Sequence, residues 1–485
     1  MRVPGLLLSF AAMFGALGRA TPAAGQGLSP ITFGDVVVSG SVRTRVESWD
    51  WFGNSPNGRY TYPAVLIRAA AGQTRPTHDW QVELSAPLLF GLPEQPLGAL
   101  PAGLGANYFV ANNRETNVAS LFAKQLFVRF KNVGGVTGQS VKVGRMEFFD
   151  GSETAPDSRT LSALQRDRVS ARLIANFGFT DVQRSLDGIV YVFDRPATNV
   201  TVLAARPTQG VFQVNGWGEV NIDVVYGAIT HQAGDAADAT QWRLFGIEYY
   251  DDRTGVMKTD NRPVANRQLD RSALNLGTLG GHYLRAIEEP FGTIDALFWG
   301  AAQFGRWGDL TQRAGAFAAE AGWQTNTRMA AWIRGGFDYG SGDHNPSDGL
   351  HGTFFQILPT PRQYARLPFF NLMNSADAFG ELILKPSPRL TVRTDVHRLR
   401  LADGADLWYQ GGGAFQPATF GYAGQRLNGS RALATLYDAS ADVAVTPRFA
   451  VTGYYGYAAG GTALSQNYPT HNHVTLGYVE LLVRF

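Results

Sequence analysis

The chain has 485 residues, enough for two or three soluble domains or for one large β structure. It has no cysteine, 56 glycines and 12% aromatic residues, which excludes a disulfide scaffold and suits a barrel that needs glycine at turns and aromatics at lipid interfaces. Formal net charge is +2, and no apolar run after the N-terminal one reaches the roughly 20 residues of a membrane helix, so bulk charge points to no nucleic acid and any membrane crossing must use strands.

Met1 and Arg2 precede an apolar stretch from Val3 to Leu17 and a small, polar segment from Thr21 to Gly27. That charged, apolar, cleavable order predicts a signal peptide over residues 1–25, cut near Ala24 or Gly25, and a single domain over residues 26–485. Without Arg2 and Arg19, Lys+Arg falls from 42 to 40 and matches Asp+Glu at 40. Period-2 alternation begins in the first strand, Val36 to Glu47, and recurs down the chain. Trp80, Val82 and Leu84 oppose Gln81 and Glu83; Leu126, Val128 and Phe130 oppose Arg129 and Lys131. Val169, Ala171, Leu173 and Ala175 oppose Arg168 and Arg172; Ala319, Ala321 and Trp323 oppose Glu320. Met329, Ala331 and Ile333 oppose Arg328 and Arg334; Leu390, Val392 and Val396 oppose Arg393 and Asp395; Tyr437 and Val443 oppose Asp438 and Asp442. Between Val200 and Thr230 the phase is lost. The last strand, His473 to Phe485, puts Val479, Leu481, Val483 and Phe485 on one face and Glu480 and Arg484 on the other, and a strand apolar to its last residue needs a partner strand and an apolar surround.

Short connections (132–139, 324–327, 385–388, 446–447) contrast with long ones (91–119, 147–165, 251–280, 340–375, 402–430). Short turns on the periplasmic rim and long loops outside are the outer-membrane pattern. Roughly 17 to 19 strand candidates, and the even count of bacterial barrels, give about 18. The expected fold is therefore all-β: a transmembrane antiparallel β-barrel in the bacterial outer membrane, in contact with outer-membrane lipid. The aromatic end of the chain also resembles the signal read by the barrel assembly machinery.

Several segments resemble the alginate export family of Gram-negative outer-membrane barrels. Val42 to Trp49 (VRTRVESW) is like its opening R-x-R-x-E strand, and Lys142 to Arg145 (KVGR) is similar to its L-G-R element, followed by a loop and RDRV. Arg184 to Tyr191 (RSLDGIVY) looks like its F-D-G strand with Leu186 in place of Phe, and Tyr339 to Phe354 (YGSGDHNPSDGLHGTF) matches its G-D-x-N-x-x-D-G…T-F loop. The resemblance implies an 18-stranded barrel that passes a polysaccharide, in the type member the polyuronate alginate, with periplasmic export scaffold proteins as partners.

A pore for a polyuronate needs fixed positive charge, and arginine grips carboxylates in a planar fork. By parity Arg43, Arg45, Arg129, Arg168, Arg172, Arg334 and Arg393 point inward, with Lys131 and Lys142, while Arg145 shares the parity of Val141 and Val143 near a strand end. The matched motifs contain Arg43, Arg45, Arg145 and Arg168. Glu47, Glu83, Glu320, Asp338, Asp395, Asp438 and Asp442 share the lumen face, so each arginine is either a substrate contact or a cross-strand pair partner. Asp343, Asn345 and Asp348 offer hard oxygens for calcium, or form ordinary turns. Residues 91–111 are apolar enough to pack inward as a plug or to lie over the mouth. Trp49, Trp51, Tyr60 and Tyr62 read as girdle or rim aromatics. His471 and His473 stand beside the last strand without an evident partner. No G-x-S-x-G, H-E-x-x-H or phosphate-binding loop is present, so an enzyme is not expected. The leading expectation is an export channel for an anionic polysaccharide. The alternatives are a porin for small anions or sugars, and a secreted β-rich carbohydrate-active protein.

Overall fold

A computed structural model describes residues 31–53, 56–95, 103–235, 237–360 and 365–485, and the expected signal peptide lies outside them. Eighteen strands in chain order form a closed wall. They are β1 (Val36–Asp50), β2 (Arg59–Thr74), β3 (His78–Leu89), β4 (Phe122–Lys131), β5 (Gln139–Met146), β6 (Leu186–Asp194), β7 (Thr198–Pro207), β8 (Asp223–Gly234) and β9 (Asp238–Asp251). They continue with β10 (Leu274–Glu289), β11 (Gly292–Trp307), β12 (Leu310–Thr325), β13 (Trp332–Gly340), β14 (Ser375–Ser387), β15 (Leu390–Leu401), β16 (Ala432–Ala444), β17 (Phe449–Gly460) and β18 (His473–Arg484). Each pairs antiparallel with the next, and β18 closes on β1 with Ser41 opposite Arg484 and Asp50 opposite Thr475. A backbone with every strand paired has no open edge to satisfy in lipid.

Alternation decides which way each wall residue faces. Val46, Ile67, Leu126, Val143, Ile189, Leu244, Leu279, Phe298, Ile333 and Val396 are large apolar side chains exposed on the outside, and Val479, Leu481, Val483 and Phe485 continue that belt on β18, as the sequence predicts. Exposed apolar surface on this scale is the lipid-facing band of a membrane barrel. Phe485 exchanges backbone hydrogen bonds with Gly40 (2.9 and 3.0 Å), so the chain end is paired to its last residue.

One rim carries short turns (75–77, 132–138, 195–197, 235–237, 290–291, 326–331, 388–389, 445–448) and the other long loops (90–121, 147–185, 208–222, 252–273, 341–374, 402–431). Two connections on the long-loop rim depart from the contrast, the tight turn 308–309 and the eight-residue 51–58. Two strand expectations change, and the stretch without phase is explained. Residues 168–176 are not a strand: the loop that opens after β5 continues to residue 185, inside the barrel, with Arg168 at the end of a helical turn and Arg172 in the irregular segment after it. Met329 and Ala331 lie in the turn before β13 rather than on a strand. The stretch where the phase is lost contains β7, β8 and the folded connection 208–222 between them. The loop 402–431 also carries its own hairpin, Leu407–Gly411 with Tyr422–Arg426.

The long loops fill the barrel. Trp51 and Phe52 just past the end of β1 meet Trp408 and Phe369 from two loops, with Trp51 stacked on Trp408 at 6.5 Å between ring centroids and Trp49 packed against Trp51. Helix α1 (Gly103–Ala111) lies across Tyr60 and Tyr62, and Tyr108 packs edge-on against Tyr62 and Phe212. Gly105 permits that approach, because a Cβ there would stand 3.0 Å from the Tyr62 ring. The apolar 91–111 segment is thus a packed plug over its described part. Trp49, Trp51 and Tyr62 are buried in this interior core rather than placed in a lipid girdle, because their parity points inward.

Candidate functional site

The loop 147–185 builds the constriction. Ser158 caps helix α2 (Arg159–Leu164) by accepting from the Leu161 N–H at 3.4 Å, and Leu161 and Leu164 are buried. The helix runs into a π-helical turn, Gln165–Val169. Asp150 closes the loop on itself by accepting from the Leu173 and Ile174 N–H groups at 3.0 and 2.8 Å. Glu147 anchors its base, with Asn176 at 2.7 Å, Lys124 at 3.3 Å and Arg68 at 3.4 Å. Burial alone would raise its carboxyl, but Arg68 and Lys124 hold it at about 2. The loop reaches deep: Gln232 donates to the Ala155 carbonyl at 3.1 Å, and Thr160 contacts Gln324 at 3.5 Å, both partners near the short-turn ends of their strands.

Its arginines lock onto β12–β15. Arg168 donates to Glu320 at 2.8 and 3.0 Å, and Arg172 to Glu320 at 3.1 Å and Asp338 at 2.9 Å. Arg334 donates to Glu320 at 3.0 Å and also pairs with Asp295. Arg393 meets Glu381 at 2.9 Å and Asp167 of the loop at 3.6 Å. Arg168 covers the Phe379 ring and Arg172 the Trp299 ring, at 4.4 and 5.2 Å. Across the lumen, Arg43 donates to Asp181 at 3.0 Å, and Arg45 to Glu480 at 2.5 Å and Glu47 at 3.0 Å, with Glu47 also held by Trp49 and Tyr62. Arg43, Arg45, Arg168 and Arg172 are buried and tie the loop to the wall, and Arg334 is a buried partner of wall carboxylates.

Arg145 is a correction. It lies on the outward row with Leu126 and Asp187, donating to Asp187 at 2.7 and 2.6 Å and to the Gly216 and Trp217 carbonyls at 3.0 and 2.8 Å. Parity with Val143 wins, and Arg145 is a rim residue on the outer face. Arg129 differs in the other direction: its side chain is 35% exposed, inward, beside Asp79. Lys142 stands directly opposite Arg129, and Lys131 reaches Asp79 at 2.5 Å. Three cations thus share one paired carboxylate. Arg166, 41% exposed on the constriction loop, and Lys385, exposed on β14, add to the accessible positive charge. Neither stands among the sequence-derived candidates. The capping Ser158 and the buried Leu161 and Leu164 at helical spacing are the signal that would have placed Arg166 on a loop helix.

The Asp343–Asp348 segment forms successive turns. Asp343 accepts from the Asn345 N–H at 3.1 Å, Asn345 from Ser347 at 3.1 Å and Asp348 from Leu350 at 2.9 Å. Asp343 also donates its N–H to Asp406 at 2.9 Å, and Asp406 accepts from Thr353 and Tyr409. The second Asp343 oxygen is buried without a hydrogen-bond partner. Burial, with Asp406 close by, pushes the Asp343 carboxyl up to about 7.

A family model described as alginate export matches residues 64–476. The chain belongs to the alginate export family. Among solved structures it is similar to the outer membrane protein OpdK of Pseudomonas aeruginosa (8% identity, 92% of this chain and 98% of that one, TM-score 0.54). It is also similar to OccAB2 of Acinetobacter baumannii (9%, 92% and 98%, TM-score 0.55) and to OccK8 of P. aeruginosa (10%, 93% and 98%, TM-score 0.52). At such identities these likenesses speak for the fold. No curated protein matches the sequence. This alginate export family member is an outer-membrane channel, with its short turns periplasmic and its long loops extracellular.

Proposed function

We propose that the channel exports an anionic polysaccharide of the polyuronate class, entering from the periplasmic mouth. The observation that carries this reading is the inward patch of Arg129, Lys131 and Lys142, in which like charges sit directly opposite and only Asp79 pairs with them within the described residues. Like charges across a strand pair cost stability, so the patch has a use for an anion that neutralises it. Arg166 on the inward loop and Lys385 on β14 add exposed cations elsewhere on the wall, and sugar carboxylates would exchange between exposed cations without the tight grip of a buried pair. A periplasmic scaffold would deliver the polymer to this rim.

A second reading, passage of a small carboxylate, is favoured by the packed outer half of the lumen, which a polymer must displace. OpdK, similar in fold, has been solved with vanillate. Planar-bilayer recording separates the two. Polymer export predicts anion selectivity and current block by oligouronates added on the periplasmic side, both reduced by Arg129→Glu with Lys142→Glu. Anion selectivity with no response to oligomers supports the small-solute reading. Equal passage of cations and anions, unchanged by these substitutions, refutes both.

A further inference from the structure

We propose that Asp50, His471 and His473 form a site for a divalent transition-metal ion of the zinc class at the closing seam of the barrel. Asp50 ends β1 and His473 begins β18, the two strands whose pairing closes the wall, and Asp50 stands opposite Thr475, two residues from His473. His471 is fixed in the adjoining loop: its carbonyl accepts from the Gly53 N–H at 2.9 Å, and Asn472 donates to the Gly460 carbonyl at 2.9 Å.

The candidate ligand atoms of the three residues lie within 4.8 Å of one another. His471 Nε2 is 3.2 Å from Asp50 Oδ1, and the two imidazole rings are 3.8 Å apart. His471 Nε2 is shielded from solvent yet makes no hydrogen bond of acceptable geometry. A buried ring nitrogen with no aligned partner is costly, and a cation between it and the carboxylate would satisfy both. Two imidazoles and one carboxylate suit zinc, nickel or copper rather than calcium, which prefers oxygens alone, and three protein ligands leave one position for water. Bonds of about 2.0–2.2 Å require donor separations of roughly 3.3 Å, so the trio must close by about 1.5 Å. Rotation of the half-buried His473, now against Tyr457 at 5.5 Å, supplies that movement. Arg59 donates to Asp50 Oδ2 at 2.8 Å, which orients the carboxylate and leaves Oδ1 for the metal; its charge opposes a cation, but its side chain is 72% exposed and can turn away. A bound ion would staple β1 to β18 at the extracellular end, as Phe485 does at the periplasmic end.

The test uses the full barrel, purified without a histidine tag, folded in detergent and stripped with a chelator. Zinc alone is titrated against a competing chromophoric indicator, and cobalt alone is followed by its visible absorption. The expected result is one ion per chain, bound about tenfold or more weaker in His471→Ala, His473→Ala and Asp50→Asn, and unchanged in His344→Ala. Absence of stoichiometric zinc, or binding that survives the His471→Ala/His473→Ala pair, overturns the site. If a variant fails to assemble, the wild-type cobalt spectrum decides: a ligand-field band saturating at one equivalent supports the site, and its absence refutes it.

Discussion

Glu320→Gln is the perturbation that reads the constriction most directly. Glu320 is the shared acceptor for Arg168 and Arg172 on the loop 147–185 and for Arg334 on the wall. The substitution keeps the side-chain volume and removes the charge, leaving three buried guanidiniums to share Asp338 and Asp295. Removing one partner of a buried pair costs about 3–5 kcal/mol. Asp338 still holds both loop arginines, at 3.4 and 2.9 Å, so the lower end applies, about 3 kcal/mol. Each 1.4 kcal/mol is about a factor of ten, so the balance between docked and detached loop shifts roughly a hundredfold. Single-channel recording in planar bilayers is the assay, with the heat-modifiable gel band as the control for folding. The open fraction or the unitary conductance should rise, and adding Arg172→Met should give less than the sum of the two single effects. A folded Glu320→Gln channel with the conductance and noise of the parent would refute the view that this network holds the constriction.

Gly40→Val should weaken the seam, because its Cβ would stand 2.4 Å from the Phe485 ring and 2.7 Å from the Arg68 carbonyl. Overpacking of about 1–3 kcal/mol should lower the temperature at which the folded gel band is lost, and Phe485→Ala should restore part of it. Arg184 donates to the Ala414 and Gly412 carbonyls at 2.6 and 2.7 Å, and burial pushes it down to about 10. Arg184→Met should cost about 1–3 kcal/mol by orphaning those carbonyls, seen as faster proteolysis of residues 402–431. Burial raises Asp343 to about 7 and Asp406 to about 6, so both bind a proton more tightly folded than unfolded. The stability they contribute is greatest below about pH 4 and is lost as pH rises to about 7. Loop cleavage should be faster at pH 8 than at pH 5, and Asp343→Asn should flatten that difference. Calcium, if taken by the ionised Asp343, should protect the parent at pH 8 and leave Asp343→Asn unaffected; equal protection of both would sink the calcium idea.

Parity served well wherever a residue sits inside a regular strand. Arg334 and Arg393 point inward beside Ile333 and Val396 pointing outward, as alternation requires. It failed at Arg168 and Arg172: Arg168 belongs to the π-helical turn Gln165–Val169 that follows the helix of Leu161 and Leu164, and Arg172 to the irregular segment after it. Tryptophans near strand ends read as girdle or rim aromatics, yet Trp49 and Trp51 are buried in the interior, Trp51 stacked on Trp408.

The sequence by itself determined the barrel, its lipid face and its closing strand, because a period of two assigns sides from neighbours alone. Only the tertiary structure decided what fills the barrel and which charges remain accessible. Arg172 meets Glu320 across 148 positions, and Arg43 meets Asp181 across 138. Beyond short helical pieces such as Arg159–Leu164, loops have no period to read. Their positions follow from the cavity they fill and the carboxylates they find there, and only those contacts show which cations, such as Lys142 opposite Arg129 and the half-exposed Arg166 beside Asp167, stay outside the buried loop-to-wall pairs.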